Sequence, residues 1–382
     1  MLSTDNHKGN TLLNKGSLYN TESISCRGEF LAKIDMFLKK AVEMGASDFH
    51  ISTNSPPVYR ILGEVKRLPY QNLTIDITKV LIGEIIPEQH REGFMRNGHI
   101  DFAYEIDGVG RFRTNVFRSH NGIDASFRVI PNKIPTLEEL NLPQTLTRIT
   151  QYHQGIVLIT GPTGHGKTTT MASLINMINA TRPHHIITIE QPVEYIFKSQ
   201  KAVVNQREVG IHTRSFSNAL RAALREDPDI IVVSEMRDLE TISLALTAAE
   251  TGHLVFGTMM TSNAIKTIDR IIDAFPADQQ PQIRTSFSDA LKCIISQRLI
   301  PRIDSKGRIP AVELLINTLP VANLIREGKS FQIGSMMITG KSQGMIRLDD
   351  SLAQLVKNRI ISPESAYLYS QDIQVLKQLL GQ

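Results

Sequence analysis

The sequence has little of what several protein classes require. It holds two cysteines, Cys26 and Cys293, in 382 residues, and no Cys-x-x-Cys pair. That argues against a disulfide-built scaffold or a cysteine-ligated zinc module, and a reducing compartment is expected. No run of 18 apolar residues occurs, so no spanning helix is expected. The opening MLSTDNHKGNTLLNKG lacks the apolar stretch of a signal peptide. The chain is therefore expected in the cytoplasm, with any membrane association made only through partners. A strong charge of one sign is missing too, since the net charge is +4. With no basic stripe interleaved with aromatics, no nucleic-acid partner is expected.

What is present fits a soluble globular chain: 41% hydrophobic and 21% charged residues, over a length that allows two or three domains. Residues 1–29 are rich in Ser, Thr, Asn and Gly and read as a flexible tail. From Phe30, apolar residues at Leu31, Ile34, Phe37, Leu38 and Ala41 keep helical spacing up to a cap at Gly45. The runs DFHIS, VYRILGEVKRL, DFAYEI, GRFRTNVF and DASFRVI then read as strands. Turns at Asp107-Gly108 and Asn121-Gly122 separate the later ones. Residues 30–131 are thus expected to form a small α+β domain, and 132–150 a linker. From residue 151 the rhythm changes. GIVLIT, HIITI, DIIVVS and HLVFGT alternate with helical stretches, which implies an α/β core with a parallel sheet covered on both faces. The last ninety or so residues read as mainly helical, with 348–360 clearly amphipathic.

The strongest chemical signal is GPTGHGKT, residues 161–168, between the strand GIVLIT and the helix-compatible TTTMASLINMINA. It fits G-x-x-x-x-G-K-[ST], the loop whose glycines turn backbone N–H groups inward around a phosphate. The helix N-terminus behind it adds a favourable field. Gly161, Pro162, Thr163, Gly164, His165, Gly166, Lys167, Thr168 and Thr169 are the expected nucleotide-binding residues. Lys167 would reach the β- and γ-phosphates and Thr168 would hold Mg²⁺. His165 could titrate near neutral pH and sense phosphate charge, or its side chain could point away from a loop that works through its backbone.

A second signal is DPDIIVVSEMRD, residues 227–238, where an apolar strand ends in Ser234 and Glu235. An acid at the end of a strand beside the P-loop strand is placed to handle metal or water. Between these two lies TIEQPVEYIF, residues 188–197, in which Glu190 and Glu194 follow a strand of the same sheet. Ligands bind at the carboxyl ends of such strands. Both acids are expected to face the nucleotide, the alternative being a solvated loop. His253 precedes another strand, and a lone histidine there is more often structural. Arg111 and Arg113 share one face of a strand whose other face carries Phe112. They form either a solvated face or, with Arg128, a trans-acting set for charge developing on a γ-phosphate. Arg214, Asn218, Arg221 and Arg225 line one helix face, for an interface or for solvent.

Together with GASDFHIS, VNQREVG, ALREDPDIIVVSEMRDLETI, TAAETGHLVFGT and KTIDRIIDAFPADQ, these motifs give a resemblance over residues 30–370. The chain resembles the secretion-type ATPase superfamily, and within it the type IV pilus retraction ATPases. The resemblance implies a PAS-like N-terminal domain joined to a RecA-like P-loop ATPase core over 151–382, assembled as a homohexamer with nucleotide between the two domains. It implies a motor that uses ATP and Mg²⁺ and docks on an inner-membrane platform protein at the cytoplasmic face. Type IV secretion ATPases, accessory retraction motors and an ATP-binding ring with negligible turnover are the alternatives. By the same resemblance Glu194 is the catalytic base, Glu235 helps Thr168 hold Mg²⁺, and Arg111, Arg113 and Arg128 reach the nucleotide. His253 matches the first histidine of the family's His box. The chain departs from the family at Gln191 (usually Asp), Met260 (usually His), Ser234 (usually Gly) and His165 (usually Ser). Pro320 and Ala322 depart within a segment tied to retraction.

Overall fold

In the computed structural model, which describes residues 32–381, the first sheet grows from alternating polar and apolar residues. Helix α1 (Asp35–Glu43) precedes strands β1 (Asp48–Ile51), β2 (Val58–Ile61) and β3 (Glu64–Arg67). Helices α2 (Ile75–Gly83) and α3 (Glu88–Asn97) follow, then β4 (His99–Ile106), β5 (Gly110–Ser119) and β6 (Gly122–Ile130). The strands form one antiparallel sheet in the order β3-β2-β1-β6-β5-β4. The run VYRILGEVKRL is a hairpin rather than one strand. Leu62 and Gly63 both take positive φ (52° and 89°), the pairing a two-residue turn needs. From Gly110 to Val116 every second residue of β5 is buried, with Phe112 inside and Arg111 and Arg113 outside. The core is aromatic. Phe49 stacks on Phe127 (5.6 Å between centroids) and on Phe37 (5.7 Å), and Tyr59 donates a hydrogen bond to the Phe37 carbonyl (2.5 Å). The expected tail and the first residues of the expected first helix, Phe30 and Leu31, lie outside the described residues.

The second sheet has seven strands in the order β13-β12-β7-β11-β10-β8-β9. Its elements run β7 (Gly155–Thr160), α4 (Lys167–Thr181), β8 (His185–Glu190), β9 (Val203–Glu208), α5 (Phe216–Ala223) and β10 (Ile230–Val233). There follow α6 (Leu239–Glu250), β11 (Leu254–Met259), α7 (Ala264–Asp273), α8 (Gln280–Ala290), β12 (Leu291–Pro301) and β13 (Arg308–Ile316). All neighbours pair in parallel except β12 and β13. The inner strands β7, β10 and β11 are almost wholly apolar because both their faces are buried. On β7, Ile156 and Leu158 face the core made with α5 to α8, while Val157 and Ile159 face the core made with α4. Side chains at the helix starts fix the turns into them: Ser215 accepts from Asn218 N–H, Asp238 from Thr241 N–H, and Asn263 from Lys266 N–H.

Residues 132–150 pack rather than hang free. Leu137, Leu142, Leu146 and Ile149 are buried in the α4-side core. The C-terminal region is less helical than the sequence suggests. Residues 291–316 form the β12–β13 hairpin, whose apolar residues a helix reading also accommodates. Helices then take over: α9 (Leu319–Arg326), α10 (Ile333–Thr339), α11 (Leu348–Lys357), α12 (Pro363–Tyr369) and α13 (Ile373–Leu380). The last three close a small core over the outer ends of β12 and β13, around Ile300, Ile309, Leu352 and Leu376. No helix among the described residues is long and apolar enough to cross a membrane.

Candidate phosphate site at the strand ends

The P-loop leaves β7 at Thr160 and enters α4 at Lys167. Its glycines are fixed by a close neighbour as well as by conformation. A Cβ on Gly161 would lie 2.5 Å from the Gln297 carbonyl oxygen, and one on Gly166 would lie 2.7 Å from Gln297 Nε2. Both glycines have positive φ. Gln297, on β12, is buried and bridges the loop to its helix: Oε1 accepts from Thr170 Oγ1 (2.7 Å) and Nε2 donates to the His165 carbonyl (2.8 Å). His165 turns its ring onto the same strand, where Nδ1 accepts the Leu299 N–H (2.9 Å). Accepting there requires the neutral ring, and burial, with Arg298, Arg308 and Lys167 nearby, lowers its pKa. The histidine therefore supports the loop and does not aim at a phosphate.

Lys167 Nζ donates to the carbonyls of Gly161 (2.8 Å) and Pro162 (3.0 Å). Burial lowers its pKa, while Glu235 and Glu194 oppose that shift, so both carboxylates act on this ammonium. Glu235 follows β10, which is expected beside β7; in the sheet β11 lies between them. Thr258 on β11 braces this end by donating to the Ser234 carbonyl (2.5 Å). Oε1 of Glu235 is buried, and although Arg237 Nε lies 2.5 Å away, it is not aligned for a hydrogen bond. A buried carboxylate oxygen without an aligned donor, close enough to act on the Lys167 ammonium, is hard-oxygen chemistry that suits Mg²⁺.

The acidic segment begins at the end of β8 with a cis Gln191–Pro192 bond, and Gln191 is exposed. Its two glutamates differ. Glu190 is buried, accepts from Thr188 Oγ1 (2.6 Å) and Gln206 Nε2 (3.1 Å), and has its pKa pushed up to about 7 by burial. Glu194 is only partly buried and accepts from Arg113 Nη1 (2.8 Å). Arg111 Nε donates to the Val193 carbonyl (3.1 Å) and Nη1 to Glu105 (2.6 Å). These contacts lie within one chain, so the first sheet reaches its own chain's acidic loop rather than acting only in trans. Arg128 is the cross-strand partner of Arg113 on β6, and its guanidinium donates to Asp48 (2.9 Å) rather than to the acidic loop. His253 is not part of this site. It sits at the amino end of β11, where its Nδ1 lies 3.0 Å from the Ala248 carbonyl, whereas the P-loop lies past the strand's other end. Parallel register puts the length of the strand between them, about 20 Å. Met260 lies at the correct end, and its sulfur accepts from Thr163 Oγ1 (3.8 Å).

The sequence model of the family described as "Type II/IV secretion system protein" matches residues 28–333. The chain belongs to this family. It is 48% identical, over 87% of its length and 96% of the relative's, to the type IV pilus retraction ATPase PilT of Pseudomonas aeruginosa. It is 46% identical to a twitching motility protein of Neisseria gonorrhoeae, over 81% of its length and 83% of the relative's. The crystal structure of the pilus retraction motor PilT with bound ADP superposes with a TM-score of 0.82 at 47% identity, covering 91% of this chain and 99% of that one. This secretion ATPase is thus PilT-like. Among the residues that build the site, Gln297, Leu299 and Tyr195 carry no motif signal. The Cys293–Ile295 apolar run could have marked β12 as a strand, which would have brought Gln297 to the loop. Tyr195 OH reaches Thr169 Oγ1 (3.2 Å) and ties the acidic segment to α4.

Proposed function

We propose that this chain is a Mg²⁺-dependent ATP-hydrolysing motor that works as a ring of six copies. It would drive retraction of a type IV pilus through an inner-membrane platform protein. The observation that carries the reading is convergence: Lys167, Glu235 and Glu194 meet at one end of the sheet, under a loop shaped for phosphate. Kinship to PilT supplies the retraction half of the proposal.

In this reading the phosphates of ATP replace the Gly161 and Pro162 carbonyls as acceptors for Lys167, since charged acceptors bind an ammonium more strongly. Thr168 and Glu235 would hold Mg²⁺, which would neutralise charge on the β- and γ-phosphates. Arg113, drawn to the γ-phosphate, would leave Glu194. The freed carboxylate would take a proton from the attacking water while Arg111 and Arg113 stabilise charge on the γ-phosphoryl oxygens. Pairing with Arg113 thus keeps the base occupied until a phosphate competes for the arginine.

Phosphate release by the full chain with Mg-ATP, set beside a Lys167→Ala control, tests this. The wild type should exceed the control by at least tenfold, because the control loses the P-loop cation. Equal rates would sink the hydrolytic reading.

A further inference from the structure

The Glu194 carboxylate accepts from Arg113 of the first sheet, yet the backbone on both sides of it is pinned by one strand of the second. Glu208 Oε2 accepts the Val193 N–H (3.0 Å). Gln206 Nε2 donates to the Tyr195 carbonyl (2.8 Å), and Gln206 Oε1 accepts the Phe197 N–H (2.8 Å). The two residues are two apart on β9, so they point to the same face, and they pair in register with Thr188 and Glu190 of β8. Gln206 also donates to Glu190, which anchors it to the strand from which the loop departs. Glu208 is itself held, because its N–H donates to His212 Nδ1 (2.9 Å) and its carbonyl accepts the His212 N–H (2.8 Å). β9 is the edge strand of the sheet, remote in order from β7 and the P-loop. It contributes nothing to the phosphate loop, and its inward polar residues are spent on the loop that carries Glu194.

We propose that Gln206 and Glu208 are positioning residues that fix residues 193–197 so that Glu194 meets the attacking water. The proposal rests on the hydrolytic reading above. It follows from geometry: a base on a loop is effective only if the backbone beneath it is held within a fraction of an ångström, and misplacement of about 1 Å can cost on the order of 100-fold in rate.

The test compares Glu208→Ala, Glu208→Gln and Gln206→Leu with wild type in the full chain, reading kcat, ATP affinity and thermal unfolding. Glu208→Ala and Gln206→Leu should each lower kcat by roughly 10–100-fold while ATP affinity stays within about twofold, since the P-loop is untouched. Glu208→Gln keeps an oxygen for the Val193 N–H and should restore most of the rate. In a Glu194→Gln background, Glu208→Ala should cause no further loss, because its effect passes through the base. Additive losses in that background, a drop in ATP affinity in place of kcat, or full rates in both variants would each overturn the proposal. Should Glu208→Ala fail to fold, the volume-preserving Gln206→Leu is read in the same way. If wild type is active and Glu194→Gln is not, full activity in the β9 variants removes only the positioning role. If wild type matches Lys167→Ala, the hydrolytic reading and the positioning role fall together.

Discussion

Residues 161–168 and residues 190–197 leave carboxyl ends of the same sheet, and the two loops are shaped by different means. The P-loop is a contiguous motif. Its own glycines give it its turn, its own lysine closes on its own carbonyls, and outside help comes from two strands, β12 through Gln297 and Leu299 and the end of β11 through Met259 and Met260. The acidic loop has a cis bond and two glutamates but no glycine. It is held from three directions: β9 through Gln206 and Glu208, the first sheet through Arg111 and Arg113, and α4 through Thr169. A loop that works by backbone donors can be written in eight consecutive residues. A loop that must present one carboxylate, and release it from an arginine, draws its precision from distant parts of the chain.

The largest expected difference between the two loops comes from removing that carboxylate. Glu194→Gln keeps the size of the side chain and should leave ATP binding intact, since the P-loop and Lys167 are unchanged. Loss of the base should lower kcat by roughly 10²–10⁴-fold. Measuring kcat beside nucleotide affinity checks this. Near-normal turnover would remove Glu194 as the base and would leave the acidic loop no catalytic role.

A smaller effect separates the loops by pH. Glu190 carries its proton up to about 7 in the folded chain, against an ordinary value of 4.5. The folded state therefore binds more protons than the unfolded one between those values. The stabilisation is complete below about 4.5 and is lost as pH rises through about 7. Relative to Glu190→Gln, whose side chain does not titrate, wild type should lose on the order of 2–3 kcal/mol of unfolding free energy between about pH 5 and 8. Parallel urea titrations of the two chains would show it. An unchanged difference across that range would mean that Glu190 is ionised when folded and that its two donors outweigh burial.

How much of this the residues disclosed in advance follows the same division. GPTGHGKT and IIVVSE could be read because their chemistry is local, and the parallel sheet could be read because its inner strands are almost wholly apolar. What escaped was contact across sequence distance. Gln297 stands 127 residues from its partner Thr170, so no spacing links them. Arg113 could be placed on the correct strand face by alternation, but its partner Glu194, 81 residues away, needed the docking of one sheet against the other. His253 was drawn to the site by motif likeness. Register removed it, because a strand has two ends and only one faces the phosphate. Leu62-Gly63 hid a hairpin since leucine is an unusual residue at positive φ.

The smallest effect falls on the P-loop side, at Gln297. Gln297→Ala removes the bridge to Thr170 and to the His165 carbonyl, and it leaves the motif itself untouched. The two lost bonds, one buried and one partly buried, are neutral and worth about 1 kcal/mol each, and the glycines retain the loop's turn without them. ATP should therefore bind about tenfold more weakly, a cost of ~1.4 kcal/mol, with kcat at saturation little changed, because Glu194 is held elsewhere. That is the reverse of the pattern expected for Gln206 and Glu208, where rate falls and affinity holds. Equilibrium binding of ATP in parallel with steady-state rates distinguishes them. If Gln297→Ala instead lowers kcat at unchanged affinity, the two loops are not independently supported, and β12 must transmit its effect to the acidic loop through α4 and the Thr169–Tyr195 contact.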